Sequence, residues 1–258
     1  MQAPENEVPG DAAASDAMAN AVARLSDSDL PKSERRRAIG QIVTALRKRG
    51  FADVFKPKAA MGWLADTVVD LAPRIPLRDL EALRKHNPGA DDMAIATRLV
   101  RNAARATAGV GAVGGGVASL EWAAPPAFLT TPALLAAETL AVVAIELKLI
   151  GELQELYGRP VPGTQAQRAV TLLQAWAGRR QVSFLVPGRG VAAVLGTAAR
   201  HELRDRLLRR FGRNLTTLGP LLTGAAVAAY LNRRATLRLA QEVREDLIRN
   251  RPPEITAG

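Results

Sequence analysis

A long charge-free stretch in the middle of the chain limits what this sequence can fold into. Residues 106–120 read ATAGVGAVGGGVASL, and a second apolar stretch, WAAPPAFLTTPALLAA, follows Glu121. Three prolines interrupt the second stretch, and a helix pattern then runs from about Pro132 to Tyr157, before the stop signal Gly158. Two apolar helices on either side of a proline-rich bend predict a helical hairpin.

Helix patterns also cover most of the remaining chain, and strand patterns are nearly absent. Ser33 is placed to cap a helix whose apolar residues follow the 3–4 spacing and which ends at Gly50. Another helix is predicted to start near Pro76, and Asp91 is placed to open the first arm of the hairpin.

The carboxyl-terminal part of the chain predicts a charged amphipathic helix from Arg233 to Asn250. Four apolar residues form its predicted buried stripe: Leu237, Ala240, Val243 and Leu247. We therefore predict an all-α fold, with a single multi-helix domain over residues 31–252 around the Gly/Ala-rich apolar helical hairpin. Residues 1–30 are predicted to be a disordered acidic tail with at most one weak helical turn.

The chain has no cysteine and two histidines, and its formal net charge is +10. The lack of cysteine excludes disulfides, thiolate catalysis and cysteine-ligated zinc. The positive charge is concentrated in residues 32–50 and 200–251. Such segments attract anionic lipid, nucleic acid or an acidic partner, although a solvated basic face explains them equally well. Candidate contacts to an anionic surface are Arg209, Arg210, Arg213, Arg233 and Arg234.

No apolar stretch by itself has the character of a membrane-spanning helix. Such a helix needs about 20 predominantly apolar residues. Residues 106–120 are too few, and the stretch 132–150 contains Glu138 and Glu146. A charge at the bilayer centre costs roughly 2.5–3.5 kcal/mol. We expect the hairpin to be buried in a protein core, and its reversible insertion into a membrane, with arginine-rich flanks on the headgroups, is the alternative.

Two short motifs match signatures of known chemistry but lie in the wrong context. Gly109, Gly111 and Gly114 fit the dinucleotide pattern G-x-G-x-x-G, yet a helix precedes them where that pattern requires a strand. The sequence HELRD from His201 lacks the second histidine of the zinc motif H-E-x-x-H. We predict no cofactor and no metal, and we interpret Gly109, Gly111 and Gly115 as positions of close helix packing.

Three glutamates lie in or beside the apolar hairpin. Glu138 and Glu146 are about two turns apart on one helix face, and Glu121 separates the two apolar stretches. Buried carboxylates are costly unless they are paired, and Arg101 and Arg105 on the preceding helix are candidate partners. These five residues form the candidate polar seam. Internal salt bridges are its simplest interpretation, with a proton- or ligand-binding role or acid–base catalysis as alternatives.

Two stretches of the sequence are similar to a known family. RNAARATAGVGAVGGG, then a proline-bearing turn, then LLAAETLAVVAIELKLIGELQELYG, resembles the EcsC family of bacterial proteins, in which the long helix ends in an aromatic–glycine motif, here Tyr157-Gly158. The segment GPLLTGAAVAAYLNRRATLRLAQEV resembles the closing part of the family, with Asn232-Arg233-Arg234 before a final helix. The likeness covers residues 60–250. It implies a link to membranes and transport and no established enzymatic activity.

These observations favour a non-enzymatic, EcsC-like accessory protein, soluble or peripheral to a membrane. The expected location is the cytoplasm, including the inner face of the cell membrane, and the expected partner is an anionic membrane surface or a membrane protein such as a transporter. Nucleic acid is a less favoured partner, because only Phe211 and Tyr230 provide rings near the basic segments. The alternative is an enzyme, or a module that binds an apolar ligand, using a buried glutamate seam in the hairpin.

Overall fold

The computed structural model describes residues 9–48, 66–121, 131–179 and 225–250. Within these ranges it contains helices and no strand, which confirms the predicted all-α, single-domain fold. The helices are α1 (Pro9–Leu25), α2 (Lys32–Lys48), α3 (Leu80–Lys85), α4 (Asp92–Glu121), α5 (Thr131–Leu156), α6 (Gln165–Arg179) and α7 (Ala225–Arg249). Residues 66–71 are also helical and continue into a 3₁₀ turn, Ala72–Arg74.

Helix α5 is the centre of the fold. It contacts each of the other six helices, and most of its apolar residues are buried, as expected of a core helix. Helices α4 and α5 contact each other as the arms of the predicted hairpin. The most extensive contact between any two of the described helices is the one between α4 and α7. None of the described helices combines the length and the apolar character that a bilayer crossing requires.

Helix α1 occupies much of the region that was predicted to be a disordered tail, and the prediction is wrong for residues 9–25. Met18, Val22 and Leu25 are buried in the common core, and α1 packs against both α2 and α5. The burial follows the helical spacing of these residues, which gives α1 one apolar face. The remaining residues of the helix are mostly alanine and short polar side chains, so the contrast between its two faces is weak in the sequence.

Local signals set several helix ends. The Asp79 carboxylate accepts a hydrogen bond from Ala82 N at 2.8 Å, so α3 begins at Leu80 and not near Pro76. Asp91 caps α4 as predicted. Gly158, with φ of +68°, ends α5 in a Schellman motif, because Arg159 N donates to the carbonyl oxygen of Gln154 at 2.8 Å.

Helices α2 and α7 begin earlier than predicted. Helix α2 starts at Lys32, so Ser33 lies in its first turn and not at its cap. Helix α7 is continuous through the predicted boundary at Arg233. Leu237 is exposed, because the contact with α4 turns a neighbouring face of α7 inward. The buried stripe of α7 contains Ala240, Val243 and Leu247 as predicted, and adds Thr236 and Leu239.

A buried arginine joins the first two helices to the hairpin. Arg35 on α2 is 4% exposed, and its guanidinium donates to the carbonyl oxygens of Leu25 (3.3 Å), Asp27 (3.2 Å) and Leu30 (3.4 Å). It also donates to the carbonyl oxygen of Ala106 on α4 at 3.4 Å. Burial lowers the pKa of Arg35, and the charge of Asp27 opposes that change. Arg35 therefore provides a hydrogen-bond donor for a carbonyl oxygen at the carboxyl-terminal end of α1, where the helix dipole also favours a positive charge.

Candidate functional site

Glu146 forms the centre of a polar cluster among four helices. Its side chain on α5 is fully buried. Trp176 Nε1 on α6 donates to Glu146 Oε2 at 2.8 Å, and Thr236 Oγ1 on α7 donates to Glu146 Oε1 at 2.9 Å. Thr107 Oγ1 on α4 lies 3.0 Å from Thr236 Oγ1. We call Thr107, Glu146, Trp176 and Thr236 the four-helix cluster.

The structure does not bring the candidate polar seam together as a set of salt bridges. Arg101 and Arg105 are exposed on α4, and within the described ranges no ion pair joins either of them to Glu138 or Glu146. Hydrogen bonds from Trp176 and Thr236 reach the Glu146 carboxylate instead. The side chain of Glu121 lies outside the described residues.

Glu138 is separate from the four-helix cluster. It lies about two turns before Glu146 on α5 and is partly buried. Burial raises the pKa of Glu138 to about 8, because the surrounding protein solvates its charged form less well than water does.

Two of the three candidate packing glycines lie where another residue would clash. A Cβ atom on Gly109 would lie 2.6 Å from Arg35 Nε, and one on Gly111 would lie 2.8 Å from the backbone carbonyl of Ala228 on α7. Asn232 also packs there, and its Nδ2 donates to the carbonyl oxygen of Thr107 at 3.3 Å. The packing of Gly115 lies outside the described residues. Gly109 and Gly111 thus allow the close approach of α2 and α7 to α4.

A second buried carboxylate was not anticipated from the sequence. Glu152 on α5 is 2% exposed, and Arg78 binds it with two hydrogen bonds, Nε to Oε1 at 2.8 Å and Nη2 to Oε2 at 2.7 Å. Lys148 Nζ donates to Glu152 Oε1 and to the carbonyl oxygen of Pro76, each at 2.6 Å. The pairing of Lys148 with Glu152 could have been predicted from their four-residue spacing on one helix. The pairing with Arg78 could not, because Arg78 is 74 residues away.

The ion pairs outweigh the burial of Glu152. Burial alone would raise the pKa of this carboxyl, but the hydrogen bond from Arg78 and the charges of Lys148 and Arg78 hold it below its usual value. The same hydrogen bond raises the pKa of Arg78. We call Arg78, Lys148, Glu152 and the Pro76 carbonyl the loop clamp, because together they hold residues 76–79 against α5.

The first half of α7 presents apolar and basic side chains to solvent. Tyr230 is 58% exposed, and Val227 and Leu231 are also exposed. Arg233 and Arg234 are exposed on the same helix, and Arg234 Nη1 donates to the Tyr230 hydroxyl at 3.3 Å. The other candidate surface contacts, Arg209, Arg210 and Arg213, lie outside the described residues.

The described residues offer no group of three or more metal-ligating side chains. His86 lies at the end of α3, where its Nδ1 is 2.6 Å from the carbonyl oxygen of Ala82, and His201 is outside the described ranges.

No protein-family model, no curated protein and no solved structure matches the chain.

Proposed function

We propose that this protein is a non-enzymatic, EcsC-like accessory protein that binds an anionic membrane surface through the first half of α7. The exposed face of that helix supports the proposal. Val227, Tyr230, Leu231 and Arg234 follow the spacing i, i+3, i+4 and i+7, so they share one side of the helix. We call these four residues, with Arg233, the α7 surface.

The chemistry of the α7 surface suits the headgroup layer of a bilayer. Exposed aliphatic and tyrosine side chains gain free energy by leaving water, and tyrosine is favoured where an apolar ring meets a polar boundary. Arginines beside them attract anionic headgroups, at about 1 kcal/mol for each basic residue near the surface. A surface contact of this kind requires no spanning helix.

The rival proposal, an enzyme or a ligand-binding module that uses the glutamates of the hairpin, has less support from Glu146. Such a site requires a carboxylate that a substrate or ligand can reach. Glu146 is fully buried and receives hydrogen bonds from two side chains. A buried, hydrogen-bonded carboxylate stabilises one arrangement of the core and is not exposed to a substrate in solution.

A paired-arginine comparison tests the proposal. The double variant Arg233→Gln/Arg234→Gln removes two charges from the α7 surface, and Arg36→Gln/Arg37→Gln removes two exposed charges from α2. On α4, Gly109 faces α2 and Gly111 faces α7. Two residues along a helix correspond to a rotation of about 200°, so these two glycines lie on nearly opposite sides of α4. The α2 pair therefore lies on nearly the opposite side of α4 and is a matched control for net charge.

The measurement is cosedimentation of the full chain with phosphatidylglycerol vesicles and with phosphatidylcholine vesicles at low salt. We expect binding to the anionic vesicles alone. The α7 double variant should lose about 2 kcal/mol of binding free energy, roughly a 30-fold weaker partition. The α2 double variant should lose less binding free energy than the α7 double variant does. Absence of binding to anionic vesicles, or equal losses in the two variants, would contradict the proposal.

A further inference from the structure

Helix α2 presents a continuous cationic face to solvent. Residues 35–48 include no acidic residue, and the exposed cations among them are Arg36, Arg37, Arg47 and Lys48. At about 100° per residue, all exposed residues of this stretch lie within about 140° of one another. The opposite side of the helix is buried in the core. We call the exposed residues of 36–48 the α2 face.

The four cations of the α2 face have no partner within the described ranges, where none of their side chains makes a hydrogen bond or an ion pair. A fifth cation, Arg24 on α1, donates to Gln41 Oε1 and therefore lies beside the same face. Like charges gathered on one helix face repel each other, and a bound polyanion would relieve that repulsion.

Gly40 lies at the centre of the α2 face without a packing reason. A Cβ atom on it would meet no neighbouring atom within 4 Å, and alanine is more stable than glycine inside a helix. The Thr44 hydroxyl donates to the Gly40 carbonyl oxygen at 2.9 Å, which keeps that short side chain against the helix. The centre of the face is therefore low. The cations on either side of it, Arg37 and Arg47, are about 15 Å apart along the helix axis.

The composition of the α2 face suits a phosphate backbone better than a bilayer. None of its exposed residues has an apolar side chain, whereas a bilayer contact gains from apolar side chains in the headgroup layer. A nucleic-acid duplex carries about one negative charge per 1.7 Å of its axis, and arginine and lysine neutralise these phosphates. Glycine at the centre of the face also lets the backbone of a partner approach closely.

The same composition favours a duplex over a single strand. Single strands are typically held by stacking of their bases on aromatic rings, and the α2 face has no exposed ring. The scarcity of rings, which makes nucleic acid a less favoured partner on sequence grounds, does not weigh against a duplex that is held by its phosphates. Phosphate contacts position a protein but carry no sequence information.

We propose that the α2 face binds the sugar–phosphate backbone of a nucleic-acid duplex without reading its sequence. Arg36 and Arg37 hold phosphates on one side of Gly40, and Arg47 and Lys48 hold phosphates on the other. The site is independent of membrane binding, because α2 and α7 contact α4 on nearly opposite sides.

Fluorescence anisotropy of the full chain with a labelled DNA duplex tests the proposal, at about 50 mM salt. The duplex has about 20 base pairs, which makes it longer than the roughly 25 Å of α2. We expect equal binding of two duplexes of unrelated sequence, and weaker binding of a single strand of the same length. Absence of duplex binding, or tighter binding of the single strand, would overturn the proposal. Tighter binding of polyglutamate would overturn it in favour of an acidic protein partner.

The location of the binding site needs its own test, because a chain with a net charge of +10 attracts DNA at low salt through any basic segment. Gly40→Glu and Gly178→Glu are a matched pair, since each adds one negative charge at an exposed helix glycine with open space around it. Gly40→Glu should weaken duplex binding about tenfold by repelling the phosphates. Gly178→Glu on α6 should weaken it by about twofold or less, because salt screens a distant charge. Equal losses in two folded variants, as judged by their thermal midpoints, would contradict the assignment to α2.

Two arginine pairs give a second test. Arg36→Gln/Arg37→Gln removes two cations from the α2 face, and Arg159→Gln/Arg168→Gln removes two exposed ones near the start of α6, which is not among the main contacts of α2. The α2 pair should weaken duplex binding about tenfold or more. It should also reduce the slope of log affinity against log salt by about 2, roughly 0.9 for each lost phosphate contact. The same change of slope in both pairs would refute a site on α2.

Discussion

At the scale of single residues, the buried polar groups of α5 are held by specific partners. Glu146 receives hydrogen bonds from Trp176 and Thr236, and Glu152 receives them from Arg78 and Lys148. A carboxylate in a low-dielectric interior is costly unless it is paired or hydrogen-bonded. Each partner therefore stabilises the fold by offsetting the free-energy cost of burying the glutamate. Removing a partner should therefore cost more than the hydrogen bond alone.

Thr236→Val tests this in the four-helix cluster. Valine keeps the shape but removes the donor to Glu146 Oε1, so we expect the free energy of unfolding to fall by about 1–3 kcal/mol. Urea denaturation gives the value. Thr97→Val, which removes an exposed hydroxyl on α4, should change the free energy by no more than about 0.5 kcal/mol. Equal effects of the two substitutions would show that Glu146 does not depend on Thr236.

Glu138 makes stability depend on pH in a direction that the sequence does not show. Its pKa is about 8 in the folded protein against 4.5 as the reference value, so between these values the folded state binds more protons than the unfolded state. The free energy of unfolding should then decrease as the pH rises from 4.5 to 8. Glu138→Gln should flatten this decrease and stabilise the protein at about pH 8, as measured by thermal unfolding.

The control for the pH experiment is Glu81→Gln, because Glu81 is an exposed carboxylate on α3. Its pH profile should keep the slope of the parent. Two results would contradict a raised pKa of Glu138. One is a parent protein whose stability does not fall over this pH range, and the other is a Glu138→Gln variant whose stability falls with pH as steeply as that of the parent.

At the scale of helices, α1 belongs to the core although its sequence is acidic and rich in alanine. Met18→Ala should lower the free energy of unfolding by about 2–5 kcal/mol, because Met18 is fully buried and truncation leaves a cavity. Met93→Ala is the matched control, since Met93 is 70% exposed. A Met18→Ala variant as stable as the control would show that α1 is only loosely attached to the core.

The contact between α4 and α7 depends on the absence of a side chain at Gly111. A Cβ there would meet the backbone of Ala228, which cannot move as a flexible side chain can, so Gly111→Ala should destabilise by roughly 1–3 kcal/mol. Gly40→Ala on α2 meets nothing within 4 Å and should stabilise by about 0.5–1 kcal/mol. Chemical denaturation of both variants tests the packing, and a stabilising Gly111→Ala would refute it.

The helices of the hairpin were predictable because their signals are local. Asp91 and Gly158 mark the start of α4 and the end of α5 by their own chemistry, and the apolar run of α5 indicates burial. The clamp on Glu152 was not predictable, because Arg78 is brought to it by tertiary packing across 74 residues. The partners of Glu146 were missed for the same reason: neutral donors on α6 and α7 carry no charge pattern that would point to a carboxylate.

At the scale of the whole molecule, the positive charge is exposed on helices that lie on different sides of α4. If the α7 surface makes the membrane contact, that contact is largely electrostatic with a small apolar part. Raising the salt from about 50 mM to about 500 mM should then release most of the vesicle-bound protein, because the Debye length shortens. Retention at high salt, measured by cosedimentation, would indicate insertion of apolar helices and would contradict a surface contact.

The Arg35 interaction also affects how the chain folds as it is synthesised. The carbonyl acceptor on Ala106 follows Arg35 by 71 residues. At about 5–20 residues per second, the ribosome makes that acceptor roughly 4–14 s after the arginine. During this interval the part of the hairpin that α1 and α2 contact has not yet been fully synthesised. Until the hairpin has been made, the apolar faces of α1 and α2 lack this packing partner and are open to chaperones and proteases.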